Sequence, residues 1–343
     1  MSPSISIIVI TCNEEKNIRE CLASLAALDA PADPAEVIVV DASTDATPRI
    51  LQEYQTVKIF RSDKGFSQQK NAGLNRAAFD IVAFTDADCV IPRDWLRVID
   101  GAFRDGRIAA IGGNAYPPPG TGGFGLWTAC VGHPAGGAVG FDANVTRSDR
   151  GISFVPGCNS AFRKSALLDV GGFDPDFFEG GEDVDVSRRL RERGYFLDYI
   201  PELTVYHKPR GTLMSYLKWN IQVGITKFSL RRPALGRLVL QPSFPLWLPA
   251  ALLGIVGVGI AGRPAAALGI AGGLWALFIV VLLALARPFR LLIKRRKKIG
   301  VTLVTVMTMI PFLIYVRQAG INIGQIKKWR RARMAKKPRT RPA

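Results

Sequence analysis

The stretch Ile81-Val-Ala-Phe-Thr-Asp-Ala-Asp-Cys89 decides the fold. An apolar run, Ile81 to Phe84, ends in two aspartates one residue apart. Alternation along a strand turns residues i and i+2 to the same side, so Asp86 and Asp88 can converge on one cation and one phosphate-bearing ligand. An open α/β sheet presents its ligand-binding groups at strand C-terminal ends, which is where this pair falls. The same letters also suit an acidic turn, because Asp is common in turns.

Upstream, the pattern repeats. SISIIVIT (4–11) is a β-rich run, and the polar cluster Cys12 to Asn17 opens a helical stretch with apolar residues at Ile18, Leu22, Leu25 and Leu28. VIVVDASTDAT (37–47) follows the same plan, with Asp41 at the strand end and Ser43, Thr44 and Asp45 as a helix N-cap cluster. Val57 to Phe60 is a third strand, and KGFSQQKNAGLNRAA (64–78) leads through a helix to Ile81. Four strands alternating with helices predict a mostly parallel sheet covered on both faces. Thr11, Asp41 and Asp86 then line one crevice at strand C-ends.

Downstream, Ile108 to Ile111 and Ile152 to Val155 suggest further strands, separated by a Gly- and Pro-rich region, Tyr116 to Gly140. Within it GTGGFG (120–125) matches the dinucleotide fingerprint letter for letter, but three prolines precede it where a strand is required. A mobile loop or membrane-facing flap beside the acceptor site is the better expectation, with His133 structural or solvated. The second chemical cluster is FFEGGEDVDVSRRLRERG (177–194). A glycine pair ends a turn there, and Glu182 to Arg193 has helical spacing. Glu182 and Asp183 stand at the helix N-terminus, where the macrodipole favours carboxylates. Ordinary N-terminal helix charge explains them equally simply. The glycines, however, give a reacting hydroxyl close access to a base.

Charge is placed very unevenly over the 343 residues. Residues 1–202 carry all 28 acidic residues against 20 basic ones, whereas residues 203–343 carry 25 basic residues and no acidic one. Nucleic acid and an anionic membrane surface are both candidate partners for such a segment. Its apolar runs favour the membrane. Residues 243–262 and 264–286 are uncharged, each long enough to span a bilayer, and are joined tightly around Arg263 as a hairpin. Basic residues flank both ends, seven of them between Arg287 and Lys298, so the positive-inside rule puts both flanks in the cytoplasm. The start agrees, because Ile5 to Ile10 is too short for a signal-peptide core. A third apolar segment, 299–316, is interrupted by Pro311 and followed by a basic tail, 317–343; it is re-entrant or interfacial, or the hairpin pairs differently. Leu213, Leu217, Ile221, Ile225 and Phe228 share one helical face, so 211–240 is an interfacial helix and linker, or an ordinary amphipathic helix packed on the domain. Five cysteines without a CxxC suit a reducing compartment as unpaired thiols with no metal role.

Six segments in order, TCNEE (11–15), VVDASTDAT (39–47), KNAGL (70–74), FTDAD (84–88), FVPGCNSAFRKSALLDVGGFD (154–174) and GGEDVD (180–185), resemble the family 2 glycosyltransferases of GT-A fold. The resemblance covers residues 4 to 210 and makes 1–210 the catalytic domain, with transmembrane helices in 241–316. It implies that Thr11, Asn13, Glu14 and Asp41 hold the nucleotide's base and ribose, with Lys70 where the family often has Arg. Asp86 would face the ribose, and Asp88 would ligate Mn²⁺ or Mg²⁺ on the diphosphate, with Asp86 beside it. His207 falls where many members place a further metal ligand; a capped loop histidine is the plain alternative. Asp183 would be the catalytic base beside Glu182, and Gly157, Cys158 and Asn159 would line the sugar and acceptor side.

These roles make chemical sense, because two carboxylates and an imidazole suit a divalent cation that neutralises a departing diphosphate. KWNIQVGITK (218–227) lacks the Q-x-x-R-W motif of processive synthases, so one sugar per acceptor is expected. The membrane segments suggest a lipid-linked acceptor at the cytoplasmic face of a bacterial-type inner membrane, and an arrangement resembling succinoglycan-type exopolysaccharide glucosyltransferases. The donor is expected to be a UDP- or GDP-sugar. The alternatives are a polyprenyl-phosphate glycosyltransferase of the dolichyl-phosphate-mannose-synthase kind and, from another class, a non-catalytic membrane scaffold. Nucleic acid is not an expected partner, since anionic lipid headgroups and anionic membrane lipids generally lie nearer to charges that flank apolar spans.

Overall fold

A computed structural model describes residues 4–29, 35–132, 135–143, 145–231 and 264–335. The first arm of the expected hairpin, 243–262, His133 and residues 336–343 lie outside the described residues. The chain divides into two compact units, Met1–Arg210 and Gly211–Ala343.

In the first unit, β1 (Ile5–Thr11), β2 (Ala35–Asp41), β3 (Lys58–Arg61) and β4 (Ile81–Asp86) form a parallel array in the order β3-β2-β1-β4. Every β1 residue is buried, because helices cover both faces of the sheet and leave no polar side for the strand to show. The ladders are in register: Thr11 lies opposite Asp41, Ile10 opposite Asp86, and Asp41 opposite Arg61. Thr11, Asp41 and Asp86 therefore stand side by side at the strand C-ends.

On one face, α1 (Ile18–Ala26) buries Ile18, Cys21, Leu22 and Leu25, and α4 (Trp95–Phe103) buries Trp95, Leu96, Ile99 and Phe103. These are the i, i+3, i+4 stripes of helices lying on a sheet. On the other face α3 (Phe66–Leu74), α6 (Lys164–Asp169) and α7 (Glu182–Glu192) cover a core in which Phe84, Phe162 and Phe173 meet edge to face. Between α1 and α3, α2 (Thr47–Leu51) follows β2.

The second half of the sheet departs from expectation. β6 (Ile108–Tyr116) is nine residues long, and Ile152 to Val155 is mostly irregular, with β8 only Gly151–Ile152 paired to β7 (Arg147–Ser148). Besides the two-residue strands, two longer ones escaped sequence reading. β9 (Asn159–Arg163) inserts antiparallel between β4 and β6, and β10 (Phe196–His207) runs parallel to β6. β10 hides because its register slips between Tyr199 and Thr204, across Pro201-Glu202. A two-residue strand, β5 (Cys89–Val90), pairs antiparallel with the end of β10, putting His207 opposite Cys89. The glycine-rich region is also partly regular: α5 (Gly123–Cys130) starts inside GTGGFG, and the Thr128 hydroxyl donates to the Arg210 carbonyl. The expected loop is thus a helix over its middle third.

In the second unit α8 (Leu213–Arg231), α9 (Pro264–Leu285), α10 (Arg287–Ile299), α11 (Leu303–Met307) and α12 (Met309–Ala335) are described. By length and composition, Ala265–Leu283 and Leu303–Arg333 qualify as membrane spans, with mean hydropathies of 2.5 and 1.4. Pro311 does not interrupt α12; it occupies the first turn, where Pro is tolerated. It lacks the N–H that would reach the Met307 carbonyl four residues back, and that carbonyl accepts the Trp275 indole N–H instead at 3.0 Å. α8 packs on α12 through glycines: a Cβ on Gly224 would lie 2.0 Å from the Ile321 carbonyl oxygen, and one on Gly324 2.0 Å from that of Ile221. Gly320 and Gly324 form a small-xxx-small pair of the kind that lets helix backbones touch. The contact follows Tyr216, Asn220, Gly224, Ile225 and Phe228, so it takes in Ile225 and Phe228 of the expected aliphatic face and leaves Leu213 exposed.

Candidate active site

One corner of the crevice is acidic. β4 delivers Asp86, Ala87 is buried beneath the turn, and the Asp88 carbonyl accepts the Lys208 N–H. The β5–β10 ladder brings His207 to the same turn from more than a hundred residues away. His207 Nδ1 lies 3.1 Å from the Lys208 carbonyl oxygen, which can only accept, so Nδ1 carries the proton. Nε2 then faces Asp88 Oδ1 at 3.3 Å and Asp86 Oδ2 at 4.0 Å. A lone pair against two carboxylates is repulsive unless a proton or a cation lies between them. Burial, with the Asp88 charge next, pushes Asp86 up to about 6. Burial also raises Glu14, and the charges of Asp88 and Asp86 add to it, while its bond from Asn17 and the charge of Arg210 oppose the rise. Two carboxylates and an imidazole nitrogen with this surplus of negative potential fit a hard divalent cation.

The facing corner is built differently. Gly180 (φ 117°) and Gly181 (φ 87°) make a left-handed turn that side chains resist, and α7 starts directly after it. Asp183 Oδ2 accepts the Gly157 N–H at 3.0 Å and Oδ1 the Val184 N–H at 2.8 Å. Beside it Glu182 Oε1 receives the Lys70 ammonium at 2.6 Å, with both side chains buried. Lys70 Nζ sits 5.7 Å and 5.4 Å from the Phe84 and Phe173 ring centroids. Burial opposes its charge, but Glu182, Asp86 and Asp183 outweigh that and hold the ammonium above its ordinary range. Burial first and the Glu182 charge second push Asp183 up to about 6, against Lys70 and the two amides. Gly157 closes this corner: a Cβ there would lie 2.8 Å from Lys70 Nζ and 3.2 Å from Glu182 Oε1.

The remaining predicted residues fall into two groups. Asn13, at φ 61°, donates its N–H to Ser43 Oγ and accepts the Thr44 N–H, while Glu14 N–H reaches Thr47 Oγ1, so the β1 and β2 loops brace one another. Thr11 Oγ1 is buried without a hydrogen-bond partner. Asp41 is fully buried and already engaged by the Ser43 N–H and the Arg61 guanidinium. Asn159 turns into the core: its amide donates to the Asn114 and Leu203 carbonyls and accepts the Trp95 indole N–H. Lys70 faces Glu182 and Gly157 and makes no surface contact of its own. Sequence reading missed Arg61 and Gln69, whose amide bridges the Thr11 and Val40 carbonyls at the ends of β1 and β2. Glutamine four residues into a helix carries no signal of that role.

A mostly parallel sheet of this order, with an acid-and-imidazole corner at its carboxyl edge and a second carboxylate pair on a helix N-terminus, is a GT-A-like fold. Residues 6–171 match the glycosyl transferase family 2 profile; the chain carries a domain of that family and is a glycosyltransferase, which sets the scaffold alternative aside. Among curated relatives, glycosyltransferase AglE of Haloferax volcanii is 27% identical over 247 residues, 67% of this chain and 77% of the relative. A dolichyl N-acetyl-α-D-glucosaminyl phosphate 3-β-D-2,3-diacetamido-2,3-dideoxy-β-D-glucuronosyltransferase of Methanococcus voltae is 24% identical over 351 residues, 94% of this chain and 96% of the relative. Among solved structures, the mannosyltransferase PcManGT of Pyrobaculum calidifontis, in complex with GDP-Man and Mn²⁺, superposes with a TM-score of 0.59 at 21% identity, covering 96% of this chain and 87% of that one. That last likeness supports the fold.

Proposed function

We propose that this enzyme moves one sugar from a nucleoside-diphosphate donor to a hydroxyl of a membrane-borne, polyprenyl-diphosphate-linked saccharide, with inversion at the anomeric carbon, in exopolysaccharide or cell-envelope glycan synthesis. The observation that carries the reading is the Asp183 carboxylate, fixed by two backbone amides and pushed up to about 6 beside a glycine-opened helix start. A carboxylate so held is oriented before substrate arrives and keeps enough basicity to take a proton. The acceptor oxygen forms the new bond to the anomeric carbon, its proton passes to Asp183, and the bond to the diphosphate oxygen breaks on the opposite side. Glu182 and Lys70 keep Asp183 in place, and Thr11 Oγ1 is available to the donor nucleotide. A divalent cation held by Asp88, Asp86 and His207, Mn²⁺ or Mg²⁺, would supply neutralisation of the departing diphosphate.

The lipid-linked acceptor rests on the two apolar helices and on the name of the Methanococcus relative, which acts on a dolichyl-linked sugar. We place the catalytic unit on the cytoplasmic side, since the basic residues flank the apolar segments. The exposed cations of α10, among them Arg290, Lys294 and Lys297, suit anionic headgroups. A polyprenyl-phosphate acceptor is the competing reading. It is already an anion and needs no base, which leaves Asp183 without a task. Purified full-length enzyme, given a panel of UDP- and GDP-sugars with Mn²⁺ and lipid-linked saccharides, should yield an acceptor heavier by one sugar in mass spectra. Transfer to polyprenyl phosphate alone, at an unchanged rate in Asp183→Asn, would overturn the proposal.

A further inference from the structure

We propose that the cation corner holds a second, sulfur-based ligand set, formed by Cys89 and Cys158 with His207, and that Zn²⁺ captured there inhibits transfer. The inference rests on the reading that His207 and the aspartates face a cation. The Cys158 thiol lies with ligand atoms of Asp86 and His207 in a group whose members are all within 4.8 Å, and the Cys89 thiol lies likewise with Asp88 and His207. Cys158 is also a neighbour of the Cys89 thiol and, after burial, helps to push it up. Both are buried, 1% and 5% exposed, and Cys89 is anchored by backbone pairing. Cys89 sits opposite His207 in the β5–β10 ladder, and Cys158 immediately precedes Asn159, which is paired with Thr85.

The two ligand sets differ in softness. Carboxylate oxygens suit Mg²⁺ and Mn²⁺, whereas thiolates and imidazole suit Zn²⁺ in tetrahedral geometry. Bond lengths of about 2.3 Å to sulfur and about 2.0 Å to nitrogen require neighbouring ligand atoms roughly 3.5 Å apart, so side-chain rotations of about 1 Å close the set. Capture is balanced: Zn²⁺ binds two sulfurs and one imidazole nitrogen, with Asp88 or Asp86 as fourth ligand. The two thiol protons leave to solvent. No electron moves and no co-reactant is needed. A zinc ion held this way ties up His207 and blocks the harder ion, so it stops the reaction.

Metal alone, added to purified full-length protein, tests this. Co²⁺ should give a thiolate charge-transfer band in the near ultraviolet and Zn²⁺ should abolish it by displacement; added to metal-free protein, Zn²⁺ should release two protons per ion in weak buffer. Cys89→Ala and Cys158→Ala should each weaken the band, the double variant should remove it, and Cys130→Ala, at a buried thiol in α5, should keep it. Zn²⁺ inhibition of the Mn²⁺-supported rate, normalised to each protein's own rate, should weaken about tenfold or more in Cys89→Ala. Binding of Mn²⁺, followed by its paramagnetic resonance, should persist in Cys89→Ala. Mn²⁺ binding with a Co²⁺ spectrum free of sulfur bands would overturn the soft set and leave the cation corner standing. Failure of every cation to bind the wild-type protein would remove both. A Cys89→Ala protein that does not fold leaves the decision to the wild-type spectrum and Cys158→Ala.

Discussion

The two corners of the site solve opposite problems with the same residue type. Around Asp183 and Glu182 the protein supplies every partner: two amides, one buried ammonium and the rings of Phe84 and Phe173. Around Asp86 and Asp88, His207 approaches through a nitrogen that carries no proton in its assigned tautomer, and the nearby thiols of Cys89 and Cys158 supply no charge to balance them. One corner is complete before substrate arrives; the other is completed from outside. Gly157 and Cys158 join them, the first giving its amide to Asp183 and the second its thiol to the group of Asp86 and His207. The lesson is that a carboxylate's neighbours, more than its presence, divide preorganised base from cation ligand.

The largest effect should come from the open corner. Asp88→Ala is expected to lower transfer on the order of 10³ to 10⁴-fold, several kcal/mol of lost charge neutralisation, and to abolish Mn²⁺ binding. Its melting temperature should hold or rise without metal, because the substitution removes one of two like charges and no protein donor. A large drop in thermal stability would show that Asp88 is structural and would erase the contrast.

The closed corner should behave in reverse. Lys70→Met strands Glu182 in a buried place, and breaking such a pair costs about 3 to 5 kcal/mol. A melt or denaturant titration should show the loss. The double variant Lys70→Met with Glu182→Leu should recover most of it, since a packed apolar pair often replaces a buried ion pair at little cost. If the single variant is as stable as wild type, the ammonium does not hold the corner together.

How much of this was legible beforehand follows from distance along the chain. The strands β1 to β4, the aspartates at the end of β4 and the carboxylates at the start of α7 all announce themselves through local periodicity and turn chemistry. The Lys70–Glu182 pair joins residues 112 apart, and nothing near either one names the other. Nor does local pattern show that Asn159 turns its amide into the core, because only the insertion of β9 between β4 and β6 puts Trp95 and Leu203 around it. His207 was found through resemblance; its strand was hidden by the slip at Pro201-Glu202.

Asp183→Asn gives the next test. Of the amides of Gly157 and Val184, one keeps the remaining oxygen and the other loses its acceptor, a cost of about 1 to 3 kcal/mol, so the fold should persist at lower stability and Mn²⁺ binding should be kept. The rate with a sugar-hydroxyl acceptor should fall about 10² to 10³-fold, within the range of general-base catalysis. KM for the donor should stay near wild type. A variant that loses donor binding instead would put Asp183 in the wrong corner.

The smallest effect is a shift in pH dependence. Asp183 must be ionised to act as base, so at saturating metal kcat should fall as pH drops through about 6. After burial, the Glu182 charge is the largest cause of the rise, while Lys70 pulls the other way. Glu182→Gln removes the raising charge and leaves the ammonium, so the acid limb should move to lower pH. The stability sign follows from the same shift. A folded value of about 6 against an ordinary 3.8 means that the protonated form favours folding, and this contribution is lost as pH rises through about 6. Glu182→Gln should therefore also flatten the pH dependence of stability between about 4 and 6. A limb that moves to higher pH would mean that Lys70 no longer faces Asp183 once Glu182 loses its charge, and that the pair acts as one unit.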